Sequence, residues 1–317
     1  MTDGFGRKIK YLRLSVTELC NLRCRYCMPE EGICKKSHSD MLTEEEMIRA
    51  VHICAGLGVQ KVRITGGEPL VKRNILSICR NVASIPGIDE LSITTNGTLL
   101  APTAKELVSC GVRRVNISID TVDPEKYRYI TRLGNLDDAL CGLESALSAG
   151  FEKVKVNCVL MKGFNDEEIR DLASLAIEYP IDLRFIELMP LEALKSYKEV
   201  SFVPCSRVLE EMPELEPLPD EDGVAKLYSL PGAKGRIGLI SPLSSHFCAA
   251  CDRIRLTADG KIKPCLHSSD EYSIKGLSDE EMQAQFASAI LAKPEWHGEL
   301  SAQSPSSAGR SMDRIGG

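Results

Sequence analysis

YLRLSVTELCNLRCRYC, residues 11–27, joins two signals. YLRLSV (11–16) is short and β-rich, as strands are. Three cysteines follow at once, Cys20, Cys24 and Cys27, in a C-x₃-C-x₂-C spacing. The same succession, a strand running directly into a polar motif, recurs downstream. KVRIT (61–65) leads into TGGEP (65–69), ELSITT (90–95) into TTNG (94–97), and RRVNISI (113–119) into SID (118–120). KVKVNCVL (153–160) and IDLRFIEL (181–188) read as two further strands. Helix candidates separate them. In LTEEEMIRAVHICAGLG (42–58), Thr43 is the N-cap, Glu46 completes a capping box, and Gly56 and Gly58 are stops. NILSICRNVAS (74–84), APTAKELVSC (101–110), LDDALCGLESALSAG (136–150) and NDEEIRDLASLAIEY (165–179), with Asn165 as its cap, follow the same logic.

Strand–helix alternation of this kind predicts parallel βα units. Six units followed by a different pattern predict an α/β fold, an incomplete (β/α)6 TIM-type barrel over residues 1–195. Chemistry in such barrels sits at the C-terminal ends of the strands, so the four motifs should share one face. Residues 196–317 form a C-terminal extension carrying the second cysteine group. There MPELEPLPDEDG (212–223) reads as an exposed connector, VAKLYSL (224–230) and RIGLIS (236–241) as strands, and SAQSPSSAG (301–309) as a mobile tail.

The 317 residues are 43% hydrophobic and 26% charged, which fits a soluble globular chain. A net charge of −6 argues against a broad nucleic-acid surface, although basic residues can still gather around a small anion. MTDGFGRKIK at the start lacks an apolar signal region, and no apolar run is long enough for a bilayer. A cytoplasmic location is expected. Of 13 cysteines, six fall into two tight groups, Cys20/Cys24/Cys27 and Cys248/Cys251/Cys265. Cys34, Cys54, Cys79, Cys110, Cys141, Cys158 and Cys205 are scattered and read as small buried hydrophobes. No disulfide framework is expected.

Thiolates hold zinc or iron–sulfur clusters. A structural zinc site wants four closed ligands. The first group offers three, with no fourth cysteine or histidine until Cys34. A cubane cluster on three protein thiolates keeps one iron open to a small molecule. Gly66 and Gly67 would let backbone approach such a ligand. The second group, in FCAACDRIRLTADGKIKPCL (247–266), again has three cysteines. His246 and His267 compete for a fourth position, which leaves zinc as the alternative to a second open cluster. Between these cysteines, Arg253 and Arg255 flank Ile254. In a strand both guanidiniums project to one face, an arrangement suited to phosphate unless they are two solvated surface arginines.

The cysteine spacing after a first strand, with Gly-Gly-Glu after a second, resembles the radical S-adenosylmethionine (SAM) superfamily. The chain as a whole resembles the GTP 3′,8-cyclase, or molybdenum cofactor biosynthesis protein A, family. The resemblance rests on LRLSVTELCNLRCRYCMP (12–29), VRITGGEPL (62–70), ITTNGTLL (93–100), RRVNISID (113–120), RFIELMP (184–190), residues 247–266 and the terminal RIGG (314–317). It implies two [4Fe–4S] clusters, one on Cys20, Cys24 and Cys27, the other on Cys248, Cys251 and Cys265. It implies that Tyr26, Gly67, Ser118 and Met189 contact SAM. Arg13, Arg63, Thr94, Lys155, Arg253, Ile254 and Arg255 would contact GTP, with Arg184 a further candidate. Gly316 and Gly317 would enter the site, with support from Arg310. No catalytic side-chain acid or base is implied.

The implied activity is that of a lyase in the first step of molybdenum cofactor biosynthesis. A 5′-deoxyadenosyl radical takes the ribose 3′ hydrogen of GTP, and the resulting ribosyl radical attacks guanine C8. The product is (8S)-3′,8-cyclo-7,8-dihydroguanosine 5′-triphosphate. The implied partners are an electron donor, a downstream cyclic pyranopterin monophosphate synthase and a second copy in a homodimer; neither nucleic acid nor membrane is expected. Two competing readings stand beside this one: a peptide-modifying radical SAM enzyme with auxiliary clusters, and a zinc-binding module without catalysis.

Overall fold

The computed structural model describes residues 1–33, 36–191, 200–219, 221, 223–301 and 304–316. Cys34, Gly317 and the expected domain boundary at residue 195 lie outside the described residues. The first part of the chain runs β1 (Tyr11–Ser15), α1 (Glu44–Gly56), β2 (Lys61–Thr65), α2 (Ile75–Ala83), β3 (Glu90–Thr95), α3 (Ala104–Ser109), β4 (Arg114–Ser118), α4 (Pro124–Thr131), α5 (Leu136–Ala149), β5 (Lys153–Leu160), α6 (Ile169–Glu178) and β6 (Asp182–Glu187). The second part adds α7 (Ser206–Glu211), β7 (Glu216–Pro217), β8 (Lys226–Ser229), β9 (Arg236–Ile240), β10 (Arg253–Leu256), β11 (Lys261–Lys263), β12 (Tyr272–Ser273), α8 (Asp279–Leu291) and α9 (Met312–Ile315).

The described strands form one open sheet in the order β12-β11-β10-β1-β2-β3-β4-β5-β6-β9-β8-β7. β1 to β6 pair in sequence and in parallel, as the six βα units require. The sheet does not close, so the architecture is the expected incomplete barrel. The C-terminal strands do more than follow it. β9 adds in parallel to β6, and β10 adds in parallel to β1. Antiparallel β8 and β11 then cover those new strands, leaving only the two-residue strands β7 and β12 at the edges. Very short edge strands are a common protection against edge-to-edge pairing.

Strand alternation separates two faces. Leu12, Leu14, Val62, Ile64, Ile93, Val115, Ile117, Val156, Leu183, Phe185, Ile254 and Leu256 are buried in the apolar core beneath the helices. The intervening positions Arg13, Arg63, Asn116, Lys155, Asn157, Arg184, Arg253 and Arg255 share the other, concave face. A closed barrel fills that space with branched apolar residues. Here it is polar and strongly basic.

Local signals explain most boundaries. Thr43 and Glu46 form the expected capping box of α1, and Gly58 ends the turn beyond it at φ +97°. α6 begins later than expected, with Glu168 in the cap position. Asn165 is instead buried. Its Nδ2 donates to the carbonyls of Asp120 (2.7 Å) and Val159 (2.9 Å), and its Oδ1 accepts from Met161 N–H (2.8 Å). A buried amide with three backbone partners is worth more as a tie than as a cap. The connector at 212–223 is also anchored, since Met212 and Leu215 are buried and Glu216–Pro217 joins the sheet. The tail at 301–309 is held as well: Ser306 and Ala308 are buried, and Ser306 N–H donates to Pro190 O at 2.9 Å. No described helix is long and apolar enough to cross a membrane.

Candidate active site

Cys20, Cys24 and Cys27 lie on the loop leaving β1, where a barrel places its chemistry. Cys27 and Met28 N–H donate to Cys24 O at 2.9 and 3.1 Å, fixing a tight turn. Arg23 and Arg132 brace the loop from below: Arg23 Nη1 donates to Cys20 O at 2.8 Å, and Arg132 Nη1 to Arg23 O at 2.7 Å. Sulfur acceptors are engaged too. Leu22 N–H reaches Cys20 Sγ at 3.4 Å, and Asp313 N–H reaches the Cys27 sulfur. Burial first, then the Asp120 carboxylate for Cys24 and the Asp313 carboxylate for Cys27, and after those the neighbouring thiols, push Cys24 and Cys27 upward; burial lifts Cys20 to about 11.

The TGGEP segment packs directly on this loop. Gly67 and Glu68 N–H donate to Thr17 O and Leu19 O, both at 2.8 Å. A Cβ on Gly66 would lie 2.5 Å from Thr17 O, and one on Gly67 would lie 2.5 Å from Leu19 O. The glycines therefore first permit two backbones to touch. Glu68 is buried and accepts from Leu70 N–H (3.0 Å), Thr95 Oγ1 (2.8 Å) and Asn96 N–H (2.7 Å). Burial raises it to about 7 against those hydrogen bonds. Asn96 in turn donates to Asn21 Oδ1 at 2.9 Å, closing a chain from β2 through β3 to the cysteine loop. Tyr26 donates to Asp120 Oδ2 at 2.7 Å, and Asp120 Oδ1 accepts from Val159 N–H at 2.9 Å. Ser118 ends β4 just before Asp120, and Met189 follows β6 half-buried.

On the concave face Arg255, Arg13 and Arg63 are register neighbours across β10, β1 and β2. Tyr11 lies one step below, its ring 5.5 Å from the Arg63 guanidinium and 5.7 Å from that of Arg253. Lys155 is in register with Asn116 on one side and Asp182 on the other. Burial, then Arg255 and Arg63, hold Arg13 well below the ordinary arginine range. Burial, then Arg184 and Arg63, bring Lys155 down to about 7. Burial also lowers Arg184 and Arg255 to about 10. Asp182, the acid nearby, is taken by Arg236 (2.9 Å) and Lys153 (3.1 Å). Tyr11 Oη, Arg13 Nε, Thr94 Oγ1, Asn116 Oδ1, Asn157 Oδ1, Arg184 Nε and Arg253 Nε are buried with no hydrogen-bond partner. Buried cations and orphaned polar atoms in one cavity call for an anionic, hydrogen-bonding ligand.

Cys248 and Cys251 flank a short turn that enters β10, and Cys265 follows β11. Lys293 ties the two arms together, donating to Arg253 O at 2.8 Å and Pro264 O at 3.0 Å. Burial raises the Cys251 thiol, but the charges of Lys293 and Arg253 outweigh it and hold it below the usual range. Arg7 braces the Cys248 turn, donating to Cys248 O at 2.8 Å and Pro294 O at 2.7 Å. His267 is buried with Nδ1 3.0 Å from Ser306 Oγ, and His246 stacks on Trp296 at 5.7 Å. Ile254 turns its side chain into the apolar core, so only its backbone can meet a ligand on the arginine face.

The tail crosses the mouth between the two groups. Arg310 Nη1 donates to both Asp259 oxygens at 3.0 Å, and Nη2 donates to Glu271 Oε2 at 2.7 Å. Lys36 bridges Asp259 (2.7 Å) to Glu18 (2.8 Å) beside the first cysteine loop. Gly316 sits at φ +86° with its carbonyl accepting from Arg255 Nη1. A Cβ there would lie 2.5 Å from Thr65 Oγ1 and 3.0 Å from Ser15 Cβ.

Comparison with known proteins matches this geometry to a family. The family model described as Radical SAM superfamily matches residues 14–176, and that described as Molybdenum Cofactor Synthesis C matches residues 181–299. GTP 3′,8-cyclase from Alkaliphilus oremlandii (strain OhILAs) is 48% identical over 321 residues, covering 100% of each chain. GTP 3′,8-cyclase from Moorella thermoacetica is 45% identical over 328 residues, again covering 100% of each. The chain belongs to the GTP 3′,8-cyclase family. Among solved structures, Streptococcus suis SuiB bound to S-adenosylmethionine is 17% identical with a TM-score of 0.62, covering 84% of this chain and 63% of that one. At that identity the likeness is one of fold.

GTP 3′,8-cyclases of the radical SAM superfamily use SAM and iron–sulfur clusters, and the donor set here fits them. Each group offers three thiols, and N–H donors meet Cys20 and Cys27 in the first group and Cys248 and Cys251 in the second. In neither group do three side chains close to single-ion distance among the described residues, and a cubane spreads its thiolates wider than a single ion does. Sequence reasoning brought the cysteines, Arg13, Arg63, Lys155, Arg253, Arg255 and Gly316 to one mouth, and the structure places them there. It passed over Tyr11, Asn116 and Asn157, whose signal was available: each shares strand parity with a chosen neighbour. Glu68 and Asn96 lie in the TGGEP and TTNG motifs already singled out, but were given no role of their own, whereas Arg7 and Lys293 act across long sequence separations and left no local signal.

Proposed function

We propose that this chain is a GTP 3′,8-cyclase acting through the residues just described, at the first step of molybdenum cofactor biosynthesis. The supporting observation is the concave face, where buried cations and orphaned donors and acceptors lie between two three-thiol groups. Cys20, Cys24 and Cys27 hold one [4Fe–4S] cluster, Cys248, Cys251 and Cys265 a second. Bound at the first, SAM supplies a one-electron cleavage whose organic fragment takes the ribose 3′ hydrogen.

The chain's own residues bind and orient. Tyr26, held by Asp120, walls the adenine side, and Gly67, Ser118 and Met189 line the cofactor's approach. Arg13, Arg63, Lys155, Arg253 and Arg255 neutralise the triphosphate, with Thr94 Oγ1 as a hydroxyl partner and the Ile254 backbone beside them. Lys155 takes up a proton as the phosphates arrive. In the substrate, the C3′–H bond breaks, a C3′–C8 bond forms, and one electron with one proton completes the dihydro ring. No side chain is required as base. Gly316 closes the mouth, with Arg310 as its anchor.

Residues 1–195 form the radical SAM partial barrel, which also supplies Arg13, Arg63, Thr94 and Lys155 to the substrate, and residues 196–317 carry the second cluster, a substrate-binding segment and the Gly-Gly tail. The protein works in the cytoplasm with an external electron donor. It hands its product to a cyclic pyranopterin monophosphate synthase and pairs with a second copy. The test is anaerobic turnover with SAM, a reductant and each nucleoside triphosphate in turn. 5′-Deoxyadenosine should form with GTP and fall to background with ATP, CTP and UTP. Equal formation without GTP, or stimulation by a peptide instead, refutes the assignment.

A further inference from the structure

We propose that Asp313 is a further SAM contact, contributed by the tail, whose carboxylate faces the cationic methionine end of the cofactor. The inference rests on the reading of Cys20, Cys24 and Cys27 as the site that binds SAM. Asp313 is 1% exposed, and neither carboxylate oxygen has a hydrogen-bond partner. Ser311 stands near but outside hydrogen-bond geometry. The charged groups around the carboxylate are Cys27, Glu18 and Arg314. Glu18 is itself held by Lys36, and Arg314 Nε is also unpartnered. A buried carboxylate among acids and thiols, with no cation at hydrogen-bond distance, is costly until a cation reaches it.

Position indicates which cation. Asp313 donates its backbone N–H to the Cys27 sulfur, and three residues on Gly316 abuts Ser15 and Thr65 at the ends of β1 and β2. α9 thus runs from the first cysteine group to the end of β2, which leads into Gly66 and Gly67. A molecule held beside the first three thiols would therefore lie next to α9. SAM would bring to this place a permanently cationic sulfonium and an amino group whose N–H can donate. Because binding is reciprocal, SAM should also seat the tail more firmly.

The test uses full-length protein with both clusters reconstituted anaerobically. SAM affinity is read from the change SAM causes in the electron paramagnetic resonance spectrum of the reduced first cluster. Hydrogen exchange over residues 306–316 is read in parallel. Asp313→Asn should weaken SAM binding roughly tenfold or more, since a charge-assisted pair becomes a neutral one. Without SAM its tail should be at least as protected as in the wild type. In the wild type, added SAM should raise tail protection; in Asp313→Asn it should not. Unchanged SAM affinity in the variant overturns the proposal, as does a wild-type tail indifferent to SAM. Loss of SAM binding together with loss of tail protection in the SAM-free variant assigns Asp313 to packing and also overturns it. A wild-type cluster that does not respond to SAM refutes the underlying reading of the site instead.

Discussion

Lys155 gives the most direct test at the scale of one residue. Burial, then Arg184 and Arg63, hold it to about 7 in the substrate-free protein. A bound triphosphate supplies opposite charge and should return it towards the ordinary lysine value of about 10.4. Between pH ~7 and ~10, GTP binding must then take up a proton, so affinity falls as pH rises through that window. Below pH ~7 this group adds no dependence. Lys155→Gln should bind GTP more weakly at neutral pH and lose the slope, as binding titrations from pH 6.5 to 9 will show. Stability has the opposite sign. The unfolded chain holds the proton in the same window, so the substrate-free fold gains stability as pH rises from about 7. Gly316→Ala is a second single-residue test. Its Cβ would strike Thr65 Oγ1 at φ +86°. The tail should lose its seat and turnover should fall more than tenfold, while the thermal midpoint of the barrel stays within a few degrees.

At the scale of elements, each helix end makes its own claim. Thr43→Ala breaks the capping box of α1 and should cost about 1 kcal/mol in denaturant unfolding without altering turnover, because α1 lies on the outer face. The segment 306–310 is fastened by Arg310 to Asp259 and Glu271. Arg310→Ala should release hydrogen-exchange protection over residues 306–316 and leave the iron content unchanged. Strands were legible because their parity is written in single residues: Arg13 between Leu12 and Leu14, Lys155 between Val154 and Val156. The same parity puts the Ile254 side chain on the core face, away from its two arginines. α4 escaped notice although Asp123-Pro124 is a helix start; the cap accepts from Glu125 and Lys126 N–H, but the helix is short and mostly polar, with only Tyr127, Ile130 and Thr131 buried. Asn165 was misassigned because a cap and a buried tie use the same residue type, and only tertiary contact separates them.

The whole molecule is one sheet built from both ends of the sequence. β10 lies beside β1, so Arg255 stands next to Arg13 although 241 residues separate Arg7 from the Cys248 carbonyl it braces. No local pattern announces such a pairing, which is why the barrel was readable as six units and its two added parallel edges were not. The tail was unreadable for the same reason: its hold on Asp259, Glu271 and Arg255 exists only once β10 and β11 are in place. With two cubanes the anaerobic protein should carry about eight irons per chain. Replacing Cys248, Cys251 and Cys265 together by serine should leave about four irons and a cluster that still responds to SAM. Turnover with GTP deuterated at the ribose C3′ decides the central claim, that the basic face holds GTP with this carbon turned towards the first cluster. The account predicts one deuterium in the 5′-deoxyadenosine that forms; unlabelled 5′-deoxyadenosine, at a rate indifferent to GTP, would contradict it.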